Sequence, residues 1–318
     1  MLAAATSGSD ELAGLGQREA GQMKEQTEHS VEVADGRRIE MLVVGPPDGL
    51  PLVFHHGTPG GVAAYPPMVA AAAERGLRVV QYARPGYGDS TAQSGRAVAD
   101  AAGDVAAILD ALGAGRFVMV GWSGGGPHAL ACARLLPDRC LAAASVAGVA
   151  PYAATGLDWL AGMGEENVKE FAAAAAGDSE LTPLLTAEAA GLREITAEQL
   201  ADGMGDLASP ADRAAMHGEL ADWIAAMFRA GLRDGIAGWR DDDLAFARDW
   251  GFSLGAVSDS VPVAIWQGEE DRMVPLAHGQ WLAANVPAAR VHIAAGVGHM
   301  NLPFGAIFDE LQELAGAR

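Results

Sequence analysis

Hydrophobic positions along the chain fall into short runs that alternate with longer amphipathic segments. Continuous apolar runs rich in β-branched residues predict buried strands, and apolar residues at helical spacing predict helices between them. The predicted strands lie at 30–34, 39–44, 52–55, 77–82, 116–120, 141–146, 261–266 and 290–293. Asp35 and Gly36 separate the first two strands and predict a hairpin turn. Strands that alternate with helices predict an α/β fold with a mostly parallel, doubly wound sheet.

Two stretches depart from this alternation. Residues 1–27 are polar, rich in Gly and Glu and without periodicity, which predicts a flexible N-terminal extension. In residues 151–255 the strand signal vanishes and helical patterns replace it. Ser209 there has the features of a helix N-cap, and one apolar helical stripe follows it: Met216, Leu220, Trp223, Ile224 and Met227.

Composition and charge restrict the partners and the compartment. Lys and Arg number 21 and Asp and Glu number 41, which gives a net charge of −20. This charge repels phosphate backbones and anionic lipids, so we expect neither nucleic acid nor a membrane as partner; the alternative is that the charge serves solubility alone. The expected partner is a small-molecule substrate. The chain has 2 cysteines and no signal-peptide pattern, so we expect a cytoplasmic location. Alanine-rich helices in 151–255 would allow a homodimer.

The most informative stretch joins the fifth predicted strand to the helix after it, and it reads Gly121-Trp122-Ser123-Gly124-Gly125. Gly-x-Ser-x-Gly between a strand and a helix forces a sharp turn that exposes the serine hydroxyl. Ser123 is therefore the candidate nucleophile. In a chain with 41 glycines, the alternative is a glycine-rich turn without a chemical role.

A nucleophilic serine needs a base and a third group that orients the base. Asp271 follows the seventh predicted strand and His299 follows the eighth. Loops at the carboxyl ends of parallel strands open onto one edge of the sheet, so both side chains are predicted to meet Ser123 there as a catalytic triad. Glu269 and Glu270 are rivals for the orienting role, but only Asp271 stands directly before the next helix.

Acyl transfer also needs hydrogen-bond donors for the developing oxyanion. The backbone N–H of Gly124, the residue after the nucleophile, is one predicted donor. The second is the N–H of Thr58 in the loop after the third strand, because Pro59 has no N–H and Gly57 is needed for the turn.

The remaining candidates concern histidines and aromatic residues. His55 and His56 could act as bases, but histidines at a strand end more often tie loops together. Other histidines without a visible partner are interpreted as structural: His29, His128, His217, His278 and His292. Four residues are candidates for the lining of a substrate pocket, with ordinary helix packing as the alternative for each indole: Trp122, Trp159, Trp223 and Met300.

These motifs resemble the α/β-hydrolase superfamily over nearly the full length of the chain. The resemblance rests on His-Gly-Thr-Pro-Gly at 56–60, Arg-Pro-Gly-Tyr-Gly-Asp-Ser at 84–90, Gly-Trp-Ser-Gly-Gly at 121–125, Asp271 and Gly298-His299. It implies that a helical cap at 151–255 is inserted into a hydrolase core formed by 28–150 and 256–318. It also implies a hydrolase without a cofactor or a metal.

Departures from related families narrow the expectation. Haloalkane dehalogenases and epoxide hydrolases with this fold use an aspartate as nucleophile where this chain has Ser123. Proline iminopeptidase relatives have a glycine where Thr58 stands, which argues against peptidase activity. Glu165 and Glu166 could bind a substrate amine, and the alternative is that they form a solvated helix face. The sequence predicts a serine hydrolase of carboxylic esters or lactones. The alternatives are an aminopeptidase or amidase, and a ligand-binding protein on the hydrolase fold.

Overall fold

The computed structural model of the protein describes residues 27–257, 261–301 and 303–317. The predicted N-terminal extension lies outside the described residues, except for Thr27. The strands are β1 (Thr27–Glu32), β2 (Arg38–Val44), β3 (Leu50–His55), β4 (Leu77–Tyr82), β5 (Phe117–Trp122), β6 (Cys140–Val146), β7 (Val263–Gly268) and β8 (Arg290–Ala294).

These strands form one 8-stranded sheet in the order β1-β2-β4-β3-β5-β6-β7-β8. β2 is antiparallel to both of its neighbours, and every other neighbouring pair is parallel. The prediction of a mostly parallel sheet is therefore confirmed. Because β3, β5, β6, β7 and β8 run in one direction, the loops after them open at the same edge.

The hairpin between β1 and β2 forms at the predicted place. Gly36 has φ +83°, and its N–H donates to the carbonyl of Val33 at 2.8 Å. The first strand nevertheless ends at Glu32 rather than at the predicted residue 34. The reason is that Val33 already belongs to the turn, where its N–H donates to the carbonyl of Arg37 at 2.9 Å.

The helices are α1 (Pro66–Ala73), α2 (Ala101–Ala111), α3 (Gly125–Leu135), α4 (Glu165–Ala176), α5 (Asp178–Leu192), α6 (Ala197–Gly203), α7 (Pro210–Ala215), α8 (Gly218–Gly231), α9 (Ala237–Phe246), α10 (Leu276–Asn285) and α11 (Phe304–Gly316). None of these described helices has both the length and the apolar character that crossing a membrane requires.

Helices cover both faces of the sheet, as alternation along β3 illustrates. Leu52 belongs to a buried apolar cluster that includes residues of α1 and α11. Its neighbour Val53 belongs to a second cluster, with residues of α2, α3 and α10. Successive side chains of a strand point to opposite faces, so the two clusters lie on opposite sides of the sheet. This arrangement confirms the doubly wound architecture.

Residues 151–255, here called the helical insertion, contain α4 to α9 and lie between β6 and β7. The helix predicted to begin after Ser209 does so, since Ser209 Oγ accepts the backbone N–H of Asp212 at 3.1 Å. The apolar stripe, however, does not lie on one continuous helix. Met216 has ψ +67° and ends α7, and α8 begins at Gly218. Met216 is still buried in the same cluster as the α8 residues of the stripe.

The insertion packs on the core through direct contacts between backbones. A β-carbon on Gly61 would lie 2.5 Å from the nitrogen of Gly231 in α8. A β-carbon on Gly86 would lie 2.6 Å from the nitrogen of Gly238 in α9, and this nitrogen donates to the carbonyl of Gly86 at 3.0 Å. Only glycine allows so close an approach at these positions, so the insertion is held tightly against the loops after β3 and β4.

Candidate active site

Ser123 lies at the turn between β5 and α3 and has φ +56°, a left-handed conformation that is uncommon for a residue with a side chain. Backbone hydrogen bonds hold it there. Its N–H donates to the carbonyl of Val146 at 2.9 Å, and its own carbonyl accepts the N–H of Gly126 at 2.8 Å. A strained backbone that the surrounding structure enforces is typical of functional sites.

The small residues around Ser123 allow the strand, the helix and a neighbouring loop to meet. A β-carbon on Gly121 would lie 2.1 Å from the carbonyl oxygen of Gly125. A β-carbon on Gly125 would in turn lie 2.3 Å from the carbonyl oxygen of His55 at the end of β3. Both contacts are with backbone atoms, so larger residues would push α3 away and move the serine.

Asp271 lies in the loop after β7, where its carboxylate is fixed in place. Oδ1 accepts the backbone N–H groups of Met273 at 2.9 Å and Val274 at 2.8 Å. Oδ2 accepts the side-chain amide of Gln267 at 3.2 Å. Glu269 and Glu270, the rivals considered in the sequence, are both exposed.

His299 is buried and pairs with Asp271, with 2.8 Å between Nδ1 and Oδ2. Its carbonyl accepts the indole N–H of Trp122 at 3.1 Å, which links the loop after β8 to the serine turn. Burial acts to lower the pKa of His299. The charge and hydrogen bond of Asp271, together with the charge of Asp212, act in the opposite direction and leave this pKa above its ordinary value of 6.5.

Ser123 and His299 border the same cavity, whose volume is about 360 Å³. The helical insertion covers it, and most of the lining is apolar: Val149, Phe171, Leu192, Ile195, Leu200, Met204, Leu207, Met227, Phe228, Phe246, Met273 and Val274. The structure therefore brings together the predicted serine and histidine at one cavity, with Asp271 hydrogen-bonded to Nδ1 of the histidine.

The predicted oxyanion donors, Thr58 and Gly124, also border this cavity. A β-carbon on Gly57 would lie 3.4 Å from Cβ of Ser123, so the loop after β3 runs directly beside the serine. A β-carbon on Gly124 would lie 2.3 Å from Oγ1 of Thr58, which places the two predicted donor residues against each other. Glycine at position 124 permits this approach.

A buried ion cluster anchors the loop that carries Thr58. Asp242 in α9 has 0% exposure and accepts hydrogen bonds from Arg84 at 2.6 Å, Tyr87 at 2.8 Å and Thr58 Oγ1 at 2.8 Å. Arg84 also donates to the carbonyls of His56 at 2.6 Å and Gly57 at 3.2 Å. The loop is therefore tied to the insertion through one carboxylate and one guanidinium.

A second cation, Arg96, also pairs with Asp242. Arg96 Nη2 lies 2.7 Å from Oδ1 of Asp242. Burial acts to raise the pKa of Asp242, but Arg84 and Arg96 outweigh it and hold this pKa well below its ordinary value of 3.8. The carboxylate therefore stays ionised within the interior.

His55 and His56 lie at the end of β3 and have structural contacts. His55 Nδ1 lies 3.2 Å from the hydroxyl of Tyr82, and His56 Nδ1 lies 2.7 Å from the carbonyl of Gly57. Burial, followed by the nearby charge of Arg84, lowers the pKa of both histidines well below 6.5.

The four residues predicted to line a pocket divide into two pairs. Trp122 and Met300 border the cavity. Trp159 and Trp223 are not in its lining, and this corrects the expectation for them. The indole N–H of Trp159 donates to the carbonyl of Ala150 at 2.7 Å, and that of Trp223 donates to the carbonyl of Ala63 at 2.9 Å. These indoles face the core instead and attach the insertion to it.

Three glutamates also line the cavity: Glu166, Glu170 and Glu188. The sequence suggested Glu166 only as an amine ligand or a solvated residue, and it did not indicate Glu170 or Glu188. Glu170 is buried, its Oε1 accepts the indole N–H of Trp239 at 2.7 Å, and burial raises its pKa to about 7. Glu165, the other glutamate considered as an amine ligand, forms an exposed ion pair with Lys169 at 2.7 Å. The spacing of 166 and 170 by one helical turn was the only signal in the sequence.

This sheet order, with a left-handed serine at the end of its fifth strand, defines the class of protein as an α/β hydrolase. The sequence profile of the alpha/beta hydrolase fold family matches residues 51–306, and the chain belongs to this family.

Individual relatives carry different names. Epoxide hydrolase B of Mycobacterium tuberculosis is 34% identical over 151 residues, which are 45% of this chain and 42% of that protein. The non-heme chloroperoxidase of Streptomyces lividans is 38% identical over 124 residues, 38% of this chain and 45% of that protein. The chain thus spans less than half the length of these relatives.

A solved structure extends the likeness in fold to nearly the whole chain. The enol-lactonase from Burkholderia xenovorans LB400 superposes with a TM-score of 0.62 over 91% of this chain and 100% of that chain. The sequence identity is 19%, so this likeness concerns the fold.

Proposed function

We propose that the protein is a serine hydrolase that cleaves a carboxylic ester or a lactone through an acyl-enzyme on Ser123. One observation carries the proposal. Ser123, in its left-handed turn, borders the same apolar cavity as His299, which is paired with Asp271 at 2.8 Å. A nucleophile, a base and a group that orients the base are what acyl transfer requires.

In the first half-reaction, Ser123 Oγ attacks the carbonyl carbon while His299 Nε2 takes the hydroxyl proton. Asp271 keeps the proton on Nδ1 and stabilises the imidazolium that forms. The backbone N–H groups of Thr58 and Gly124 donate hydrogen bonds to the carbonyl oxygen as negative charge develops on it. The C–O bond then breaks, His299 returns its proton to the leaving oxygen, and the acyl group remains on Ser123.

In the second half-reaction, His299 removes a proton from water, and the resulting oxygen attacks the acyl carbon. The bond to Ser123 Oγ breaks, the proton returns to Oγ, and a carboxylic acid leaves. A lactone follows the same steps, except that its alcohol and acid remain one molecule.

The nucleophile also distinguishes this proposal from the activity that the name of the mycobacterial relative states. Epoxide hydrolases with this fold resemble the chain but use an aspartate where Ser123 stands. A serine hydroxyl suits attack on a carbonyl carbon, followed by hydrolysis of the ester that forms. The apolar lining supports an acyl group of modest size and apolar character.

A fluorophosphonate probe tests the proposal directly. We expect the folded protein to gain the mass of one phosphonyl group, located on Ser123 by peptide mass spectrometry, and the heat-denatured protein to gain none. Hydrolysis of p-nitrophenyl esters of increasing chain length then defines the acyl preference. Folded protein that neither reacts with the probe nor hydrolyses these esters would favour the ligand-binding alternative.

The raised pKa of His299 predicts the pH dependence of the reaction. The base must be neutral to accept a proton, so kcat/KM for a neutral ester should rise with pH through a midpoint above 6.5. Glu170, whose pKa is about 7, titrates in the same region. The rise of kcat/KM at acidic pH is called the acidic limb. The matched control is Glu170→Gln, in which the acidic limb should remain. If the limb vanishes in this variant, the titrating group is Glu170 and not His299.

An aminopeptidase or amidase remains the second candidate, because one observation favours it. Glu166, Glu170 and Glu188 give the cavity three carboxyl groups, and the described residues that border it include no lysine or arginine. Carboxylates of this kind would attract the free amine of an aminoacyl substrate.

Paired substrates separate the two candidates. For the ester proposal we expect simple acyl p-nitrophenyl esters to be hydrolysed at least about tenfold faster, in kcat/KM, than amino-acid p-nitroanilides. A preference for anilides with a free amine, lost in Glu170→Gln and in N-acetylated substrates, would replace the ester proposal with the aminopeptidase.

A further inference from the structure

A carboxylate from the helical insertion lies against the loop that carries His299. Asp212, in the first turn of α7, has 0% exposure, and its Oδ1 accepts the backbone N–H of Met300 at 2.7 Å. A β-carbon on Gly298 would lie 2.4 Å from its Oδ2. The carboxylate thus contacts the residues on both sides of His299.

Helix capping explains only part of this arrangement. Oδ2 accepts the backbone N–H of Ser209 at 3.2 Å and its hydroxyl at 2.8 Å, which closes the cap of α7. The contact of Oδ1 with Met300 adds nothing to the cap. It connects the insertion to a loop of the core that lies 88 positions further along the chain.

Among the described residues, Asp212 has no cationic partner. Its hydrogen-bond partners are two backbone N–H groups and a hydroxyl, whereas Asp242 forms ion pairs with Arg84 and Arg96. Burying a carboxylate without a cation is costly. The imidazolium that forms on His299 during acyl transfer would be a positive charge close to it.

We propose that Asp212 is a positioning residue: it holds the His299 loop in place, and its charge stabilises the protonated imidazole. The inference rests on the proposed function, since it concerns the base of that reaction. Asp271 binds the imidazole at Nδ1, and Asp212 acts on it from the insertion across the loop. These are the two charged groups that act on His299 within the described residues, and both raise its pKa.

The test is Asp212→Asn, which keeps the size and an acceptor oxygen for Met300 but removes the charge. We expect the acidic limb of kcat/KM to move to lower pH, and kcat at its plateau to fall severalfold with little change in KM, because a less basic imidazole accepts the proton of Ser123 less readily. The matched control is Asp241→Asn, another buried carboxyl of the insertion, which bonds to Arg240 instead. The acidic limb of kcat/KM for this control variant should not move.

Two further measurements distinguish charge from structure. Asp212→Ser provides a second neutral side chain, and the Nδ1 proton of His299 in the NMR spectrum reports its pKa without turnover. We expect both folded neutral variants to lower this pKa. Folded variants with an unmoved limb and an unmoved His299 pKa would overturn the inference, as would failure of both to fold, which would assign Asp212 to the fold.

Failure of the inference is distinguishable from failure of the proposed function. Labelling of Ser123 by the fluorophosphonate in the unchanged protein depends on the serine and its base. If Ser123 reacts and the limb of Asp212→Asn stays in place, the hydrolase proposal stands and the role of Asp212 does not.

Discussion

Ser123→Ala is expected to lower kcat/KM for p-nitrophenyl esters by at least about 10⁴-fold, because the variant has no oxygen on which an acyl group can form. The fold should remain, since both hydrogen bonds that hold residue 123 involve its backbone, through Val146 and Gly126. Alanine keeps these bonds and adds no volume. The thermal unfolding midpoint should therefore change by only about 2 °C.

The matched control is Ser145→Ala on the neighbouring strand. Ser145 is buried and its Oγ has no hydrogen-bond partner among the described residues, so alanine there should leave both the activity and the stability close to those of the unchanged protein. Retention of full esterase activity by Ser123→Ala would refute the assignment of the nucleophile. Loss of activity in the control as well would point to a general disturbance of the turn.

Asp242→Ala is expected to give the largest loss of stability, about 3–5 kcal/mol in the free energy of unfolding. Removing the carboxylate leaves Arg84 and Arg96 buried as unpaired cations, at 1% and 5% exposure. It also removes the acceptor for Thr58 Oγ1 and Tyr87. Denaturant unfolding of the purified variant measures the change.

Asp241→Ala is the matched comparison, one residue earlier in the same helix. Its partner Arg240 is 24% exposed and can regain water, so we expect a loss of only about 1 kcal/mol. Equal losses in the two variants would contradict the role given to the Asp242 cluster. The pKa of Asp242 is held well below its ordinary value of 3.8, so its stabilising contribution is complete well above pH 3.8, declines as the pH falls below that value, and is lost once the pH is below the lower pKa of the folded protein.

The placement of Ser123, Asp271 and His299 could be predicted because each follows a strand that is recognised from its own few residues. In a parallel sheet, that position alone brings the loops to one edge. The helix after Ser209 was predicted for a similar reason, since Ser, Pro and Asp at its start are recognised within a few residues.

The contributions of the insertion could not be predicted in the same way. Asp212 and Asp242 are charged residues on helices, a pattern that ordinarily indicates a solvated face. Their burial depends on contacts with loops far along the chain, such as those of Met300 and Arg84. The pocket prediction for Trp159 and Trp223 was wrong for the same reason, because an indole of the insertion can face the core as easily as a cavity.

The buried carboxylates have a consequence for engineering the substrate range. Asp212 on α7 contacts the His299 loop, and Asp242 on α9 holds the loop after β3. The helices α4, α5 and α6 instead contribute residues to the cavity lining, namely Glu166, Glu170, Leu192 and Leu200. A chimaera that exchanges the whole insertion for that of a relative would discard both anchors along with the lining. Grafting only α4 to α6 would redesign the substrate chamber and leave the anchors intact.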